Sequence, residues 1–205
     1  MYIFIFLILI FLMIAYGYDH SMVMKWDDQI ILFFEEVRTP FLTNFFTIMT
    51  EIGSIKFTLP FLLLIILFFM WKRYFFESLF LILGYVGVRQ FNFLLKELYE
   101  RDRPDFDSLI GAAHYSFPSG HAMNSAAIFT LITFFVFQKW SVSKPVIISS
   151  SILIALFILS IGLSRVYLGV HYLTDITAGF CSGIVWFFMI KFVYLWFYKN
   201  FRQNY

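Results

Sequence analysis

Six stretches of 17 or more mostly apolar residues, at about 2–18, 56–72, 75–95, 118–138, 145–163 and 171–197, leave this 205-residue chain little choice of solvent. A bilayer core takes roughly 20 apolar residues per helix, fewer where flanking side chains snorkel. Charged residues make up only 14% of the chain and apolar ones 61%, whereas charge alone approaches about a quarter of a soluble domain. In lipid the backbone must satisfy its own hydrogen bonds, which for runs of this length means helices. The expected fold is an all-α integral membrane protein, one domain over residues 1–205, with six transmembrane helices.

Residues 19–55, between the first two runs, are different. Trp26, Ile30, Phe33, Phe34 and Val37 recur at helical spacing, opposed by Asp27, Asp28, Glu35 and Glu36. That pattern predicts an interfacial amphipathic helix. Ala15-Tyr16-Gly17 also admits a second reading of the first run, as a signal peptide with a small-x-small cleavage site.

The loops carry the orientation. Lys72-Arg73, then Lys139 and Lys144, then Lys199 and Arg202 occupy one set of ends with no acid among them; Lys/Arg bias of this kind marks the cytoplasmic face. The other set holds residues 19–55, 96–117 and 164–171, so these are placed outside the cytoplasm. A net charge of +2, with basic residues scattered or interleaved with acids, provides no nucleic-acid-binding stripe. Cys181 is the single cysteine and stands in an apolar run, with no partner for a disulfide or a zinc site.

Chemistry concentrates in three short segments at the ends of apolar runs: Lys-Glu-Leu-Tyr-Glu-Arg-Asp-Arg-Pro (96–104), Pro-Ser-Gly-His (118–121) and Ser-Arg-Val-Tyr-Leu-Gly-Val-His-Tyr-Leu-Thr-Asp (164–175). Lys96 and Arg103, seven apart, share a face if one helix carries both before Pro104 ends it. Taken alone they could simply snorkel and pair with Glu97, Glu100 or Asp102. Ser119 is a candidate N-cap and Gly120 permits close backbone approach, so a helix N-terminus before His121 offers N–H groups to an anion. His171 and Asp175, spaced i,i+4, can hydrogen-bond, which fixes the imidazole tautomer and leaves the other nitrogen free to attack. Lys96, Arg103 and Arg165 can surround a dianion while His121 and His171 act as acid and nucleophile. Arg89 and Asn92 lie inside the third run, where an ionisable side chain costs about 2.5–3.5 kcal/mol; Arg89, outside the three segments, reads as structural pairing or support.

Together the three segments, Lys-x6-Arg-Pro, Pro-Ser-Gly-His and Ser-Arg-x5-His-x3-Asp, resemble the signature of the type-2 phosphatidic acid phosphatase superfamily. Every signature position is filled, over residues 96–175. The flanking residues are similar to the bacterial phosphatidylglycerophosphatase B-like and undecaprenyl-diphosphatase group. The resemblance implies a cell-membrane lipid phosphatase that forms a phosphohistidine at His171. Asp175 would orient that histidine and His121 would protonate the leaving oxygen. Lys96, Arg103, Arg165, Ser119 and Gly120 would hold the phosphoryl oxygens. It implies no cofactor and no metal, and no carboxylate cluster suited to magnesium is apparent in the sequence. Implied substrates are undecaprenyl diphosphate, phosphatidylglycerophosphate or phosphatidic acid, with the bilayer as the only evident partner. The rival readings are a lipid or anion transporter, or a non-catalytic lipid-phosphate-binding protein, using the same cations.

Overall fold

Eight helices account for the secondary structure among the described residues, 2–201, of a computed structural model, and no strand occurs among them. They are α1 (Tyr2–Gly17), α2 (Ser21–Glu36), α3 (Pro40–Gly53), α4 (Ile55–Trp71), α5 (Phe75–Tyr99), α6 (Gly120–Lys139), α7 (Lys144–Tyr167) and α8 (Leu173–Phe201). α5, α6, α7 and α8 are each long and apolar enough to cross a membrane; α1 with α2, and α3 with α4, qualify only as pairs bent by 99° and 53°. The protein is thus a multi-pass membrane protein with four to six candidate crossings. Arg202, part of the expected basic tail, lies outside the described residues.

Residues 19–55 form two helices, not the expected single amphipathic one. Thr39 accepts a hydrogen bond from the Leu42 amide and Pro40 opens α3. A side-chain cap followed by proline at the first helical position starts a new helix. The amphipathic reading of α2 needs one correction: Asp27, assigned to the polar face, is 2% exposed and faces the protein.

α6 forms the centre, packed by α5, α7 and α8. Its interface with α8 is built from small residues. A Cβ at Gly179 would lie 2.8 Å from the Ser119 carbonyl oxygen, and Gly183 meets the Met123 carbonyl still more closely. Such backbone approach is how helices associate where lipid offers no hydrophobic driving force. It also seats the Ser119 turn directly on α8, where the Ser119 amide donates to the Asp175 carbonyl at 3.1 Å. Large apolar side chains fill the rest: Leu81, Val88, Met123, Leu131, Phe135 and Tyr194 are each fully buried in one cluster between α5, α6 and α8. α1 lies along α8, with Phe4 edge-on to Phe188, and delivers Tyr18 to a stack on Phe117.

Candidate active site

All three signature segments converge at one end of the bundle, opposite Lys72, Lys139 and Lys144. Lys96 stands in the last turn of α5 and is 8% exposed. α5 ends there because Glu100 adopts left-handed φ, with its amide donating to the Lys96 carbonyl, a common helix-ending geometry. Arg103 is therefore not on the helix that carries Lys96, as the seven-residue spacing predicts, but in the loop beyond it. The loop nevertheless returns Arg103 to the site, where it is locked by carbonyls: Nε donates to His114, Nη1 to Val170 and Nη2 to Ala113, at 2.7–2.9 Å.

His171 likewise precedes its helix. Gly169, at φ +74°, turns the chain between α7 and α8, in a region that side-chain-bearing residues rarely adopt; a Cβ there would also press within 3.1 Å of the Ser108 backbone. The His171 amide then bonds back to the Arg165 carbonyl, and the ring is directed inward at 2% exposure. Asp175, in the first turn of α8, accepts from the Tyr172 amide at 2.9 Å and lies 3.2 Å from His171 Nδ1. The expected pair forms, held by a helix-start turn instead of two positions on one helix face.

The tautomer follows from Arg103. Its Nη1 lies 3.1 Å from His171 Nε2, and a guanidinium has donors and no lone pair. Nε2 is therefore the acceptor, and the ring proton sits on Nδ1, donated to Asp175. Burial pushes the His171 imidazole down to about 3, with the Asp175 hydrogen bond pulling the other way. In the resting site the ring is neutral and its free lone pair points toward the cations.

Arg165 lies in the last turn of α7, 5% exposed, and donates to the Thr50 hydroxyl of α3, while its Nε has no partner. Lys96 donates to the Tyr115 and Ser116 carbonyls. His121 packs beside Gly53 at the end of α3 and lies within electrostatic reach of Arg165, His171 and Arg103. Gly120 is backed by Asn92, whose Nδ2 donates to the Pro118 carbonyl at 3.2 Å; a Cβ at Gly120 would meet the Asn92 oxygen at 3.0 Å. Asn92 thus ties α5 to the Pro118–Gly120 turn. Ser119 occupies the N-cap position but makes no capping bond, and its buried hydroxyl has no partner.

Four residues in this network were not among the site residues expected from the sequence. Arg101 bridges two buried carboxylates, Asp175 Oδ1 at 2.7 Å and Asp27 Oδ2 at 3.0 Å, and lies 4.1 Å from the centre of the Tyr172 ring. Ser116 donates to Asp175 and lies 3.3 Å from His171 Nδ1. Thr50 is the third, and Asp27, which also accepts from the Thr174 amide and hydroxyl, is the fourth. Arg101 was the most accessible, as a third cation within the first segment. The alternative pairing of Lys96 or Arg103 with Glu97, Glu100 or Asp102 does not occur among the described residues: Glu97 instead meets His114. Of the structural pairing or support expected of Arg89, the described residues show no hydrogen bond or ion pair, only the Tyr85 ring 5.7 Å from its guanidinium.

Comparison with known proteins identifies the family. The PAP2 superfamily model matches residues 77–202. Phosphatidylglycerophosphatase B of Bacillus subtilis is 34% identical over 185 residues, covering 88% of this chain and 89% of that protein. A crystal structure of a transmembrane PAP2-type phosphatidylglycerolphosphate phosphatase from Bacillus subtilis superposes with a TM-score of 0.90 at 33% identity, covering 94% of this chain and 96% of the other. The Aquifex aeolicus LpxE structure shares the fold at a TM-score of 0.62 and 22% identity, covering 87% and 98%. With its signature segments gathered into one cationic site and its helices following those of a PAP2 phosphatase, the chain belongs to the PAP2 superfamily.

Proposed function

We propose that the protein removes the terminal phosphate of a membrane lipid phosphate or diphosphate through a phosphohistidine at His171. One observation carries this reading: Lys96, Arg103 and Arg165 are gathered around a buried neutral imidazole, and their hydrogen-bond partners are carbonyls, a hydroxyl and that imidazole. Buried cations without carboxylate partners form a ready-made site for an anion.

In the proposed reaction, the phosphoryl group enters among the three cations and Arg103 Nη1 transfers its hydrogen bond from His171 Nε2 to a phosphoryl oxygen. Nε2 then attacks phosphorus as the bond to the leaving oxygen breaks, and His121 gives that oxygen its proton. The ring becomes cationic as it bonds to phosphorus, and Asp175 opposite Nδ1 stabilises that charge, held in place by Arg101, Ser116 and the Tyr172 amide. Water next attacks the phosphohistidine, His121 takes the water's proton, and inorganic phosphate leaves with Nε2 restored. The cations stabilise charge spread over the equatorial oxygens, which is the main catalytic requirement of phosphoryl transfer. The Ser119 hydroxyl and Gly120 backbone add donors.

The names of its relatives favour phosphatidylglycerophosphate among substrates, with polyprenyl diphosphate the other strong candidate. In this reading α2 lies in the interface, α1 and the bent α3–α4 pair complete six crossings, and the site faces away from the cytoplasm because basic residues cluster at the other end. Phosphate release from detergent-solubilised protein, inhibited by vanadate and accompanied by a label on His171, is the expected result. Turnover without a phosphoenzyme would overturn the covalent route. Cysteines placed at 110 and 142 should react with an impermeant maleimide in intact cells only at 110; the reverse pattern would invert the orientation.

A further inference from the structure

We infer that Arg89 and Asn124 form a subsite for the leaving group, selecting lipids whose leaving group carries a second phosphate anion. This rests on the phosphatase reading above and deepens it. A cavity of about 300 Å³ opens beside the reaction centre, lined by Lys96, Gly120, His121, Asn92, Asn124 and Arg89. His121, the residue placed to protonate the leaving oxygen, borders it, so this is the side on which the leaving group departs. Arg89 lies seven residues before Lys96 on α5, on nearly the same face and about 10 Å deeper along the axis.

Two groups in this cavity lack the partners their position calls for. Among the described residues Arg89 makes no hydrogen bond or ion pair; its guanidinium has only the Tyr85 ring, 5.7 Å away. A cation at mid-span without a carboxylate is costly unless something supplies the anion. Asn124 is 9% exposed, and its amide nitrogen donates to the Gly120 carbonyl at 2.7 Å, but its Oδ1 has no partner. A buried acceptor of this kind calls for a donor. The cavity therefore complements an anion at Arg89 and a hydroxyl or other donor at Asn124. A neutral diacylglycerol leaving group satisfies Asn124 at most; a leaving group with its own phosphate satisfies Arg89. That phosphate can be a phosphodiester separated by a hydroxylated glycerol, or the inner phosphate of a lipid diphosphate.

The test compares kcat/KM of the full-length protein and Arg89→Gln on phosphatidylglycerophosphate, a polyprenyl diphosphate and phosphatidic acid. The expected result is a loss of ~10-fold or more on at least one of the first two, with phosphatidic acid changed less than about threefold. Equal losses on all three, or none, would overturn the subsite. Asn124→Ala separates the sources: a loss confined to phosphatidylglycerophosphate assigns the bridging hydroxyl, and a loss confined to the diphosphate contradicts that arm. Arg89→Lys keeps the charge and should retain the preference, which guards against a variant that merely misfolds. Phosphatidylglycerol should also raise the melting temperature of the wild type more than that of Arg89→Gln. This readout needs no turnover, so absent phosphatase activity would sink the reaction while leaving the subsite answerable, and equal shifts would count against it.

Discussion

The two ends of the helix bundle bury charge in opposite ways. At the end that carries the loop basic residues, Glu77 of α5, fully buried, pairs with Lys139 of α6 and accepts from the Tyr194 hydroxyl of α8 at 2.8 Å. At the other end, Arg101 is neutralised by Asp27 and Asp175, while Lys96, Arg103 and Arg165 meet no carboxylate within ion-pair distance among the described residues. The first arrangement pairs a buried acid with a base and links three helices. The second leaves a surplus of positive charge in a space bordered by α3, α5, α6, α7 and α8. Buried ion pairs contribute little net stability but are costly to break, and buried charges without partners are kept for what they bind. The contrast separates a structural cluster from a chemical one in the same low-dielectric surroundings.

Breaking each end should therefore give opposite phenotypes. The largest effect belongs to His171→Ala, which should lower kcat by ~10⁴-fold or more and abolish phosphoenzyme while the melting temperature in detergent stays near wild type. A fully active variant would remove the covalent step. Arg165→Met should lower kcat/KM by about 10²–10³-fold without loss of melting temperature, because it replaces a buried cation whose Nε is unpartnered. The mirror experiment is Glu77→Gln, which leaves Lys139 without its anion: stability should fall by about 3 kcal/mol while kcat per folded molecule changes less than about twofold. If Glu77→Gln lost activity as Arg165→Met does, the division between the two ends would fail.

Smaller effects probe how the site end is held. Asp27→Asn removes one arm of the Arg101 bridge without touching the residues around phosphorus. It should lower kcat by ~10-fold with KM little changed; a pure KM effect would move Asp27 into substrate binding. The smallest signal is in pH. Because burial holds His171 down at about 3, the imidazole is neutral across pH 5–8 and kcat should show no acid limb from His171 near 6.5. A symmetrical bell centred near neutrality would mean that His171 titrates as it does in water. The same shift links to stability. Between about pH 3 and 6.5 the unfolded chain takes up a proton that the folded site refuses, so stability should fall as pH drops through that window and be unaffected by this group above it.

Which residues meet at the site was more legible in the sequence than how the chain brings them there. Lys96, His121, Arg165, His171 and Asp175 are identifiable because a lipid environment makes each ionisable residue conspicuous, and the structure gathers them. The routes by which they arrive are less readable. Arg103 reaches the site from a loop after α5 has ended at Glu100, and His171 reaches Asp175 across a helix-start turn. In both cases residue spacing fits a geometry that the backbone does not use. Asp27 sits at a polar position by helical periodicity, yet it is buried because its partner, Arg101, comes from 74 residues away. No local pattern encodes a contact of that separation. The break at Thr39-Pro40 was readable in principle, since cap and proline stand side by side just after the apolar spacing of residues 26–37 ends.

By itself the sequence determined that the chain lives in a bilayer, that its spanning elements are helical, and that cations and histidines stand at the ends of those helices. These follow from run length and the cost of charge in lipid, which act residue by residue. Tertiary structure alone decided which charges are paired. Arg101 and Arg103 are two residues apart in the same segment, yet one is neutralised between Asp27 and Asp175 and the other donates to backbone carbonyls and to His171 Nε2. Charge compensation depends on what the fold brings within a few ångströms, and along the chain that information does not exist.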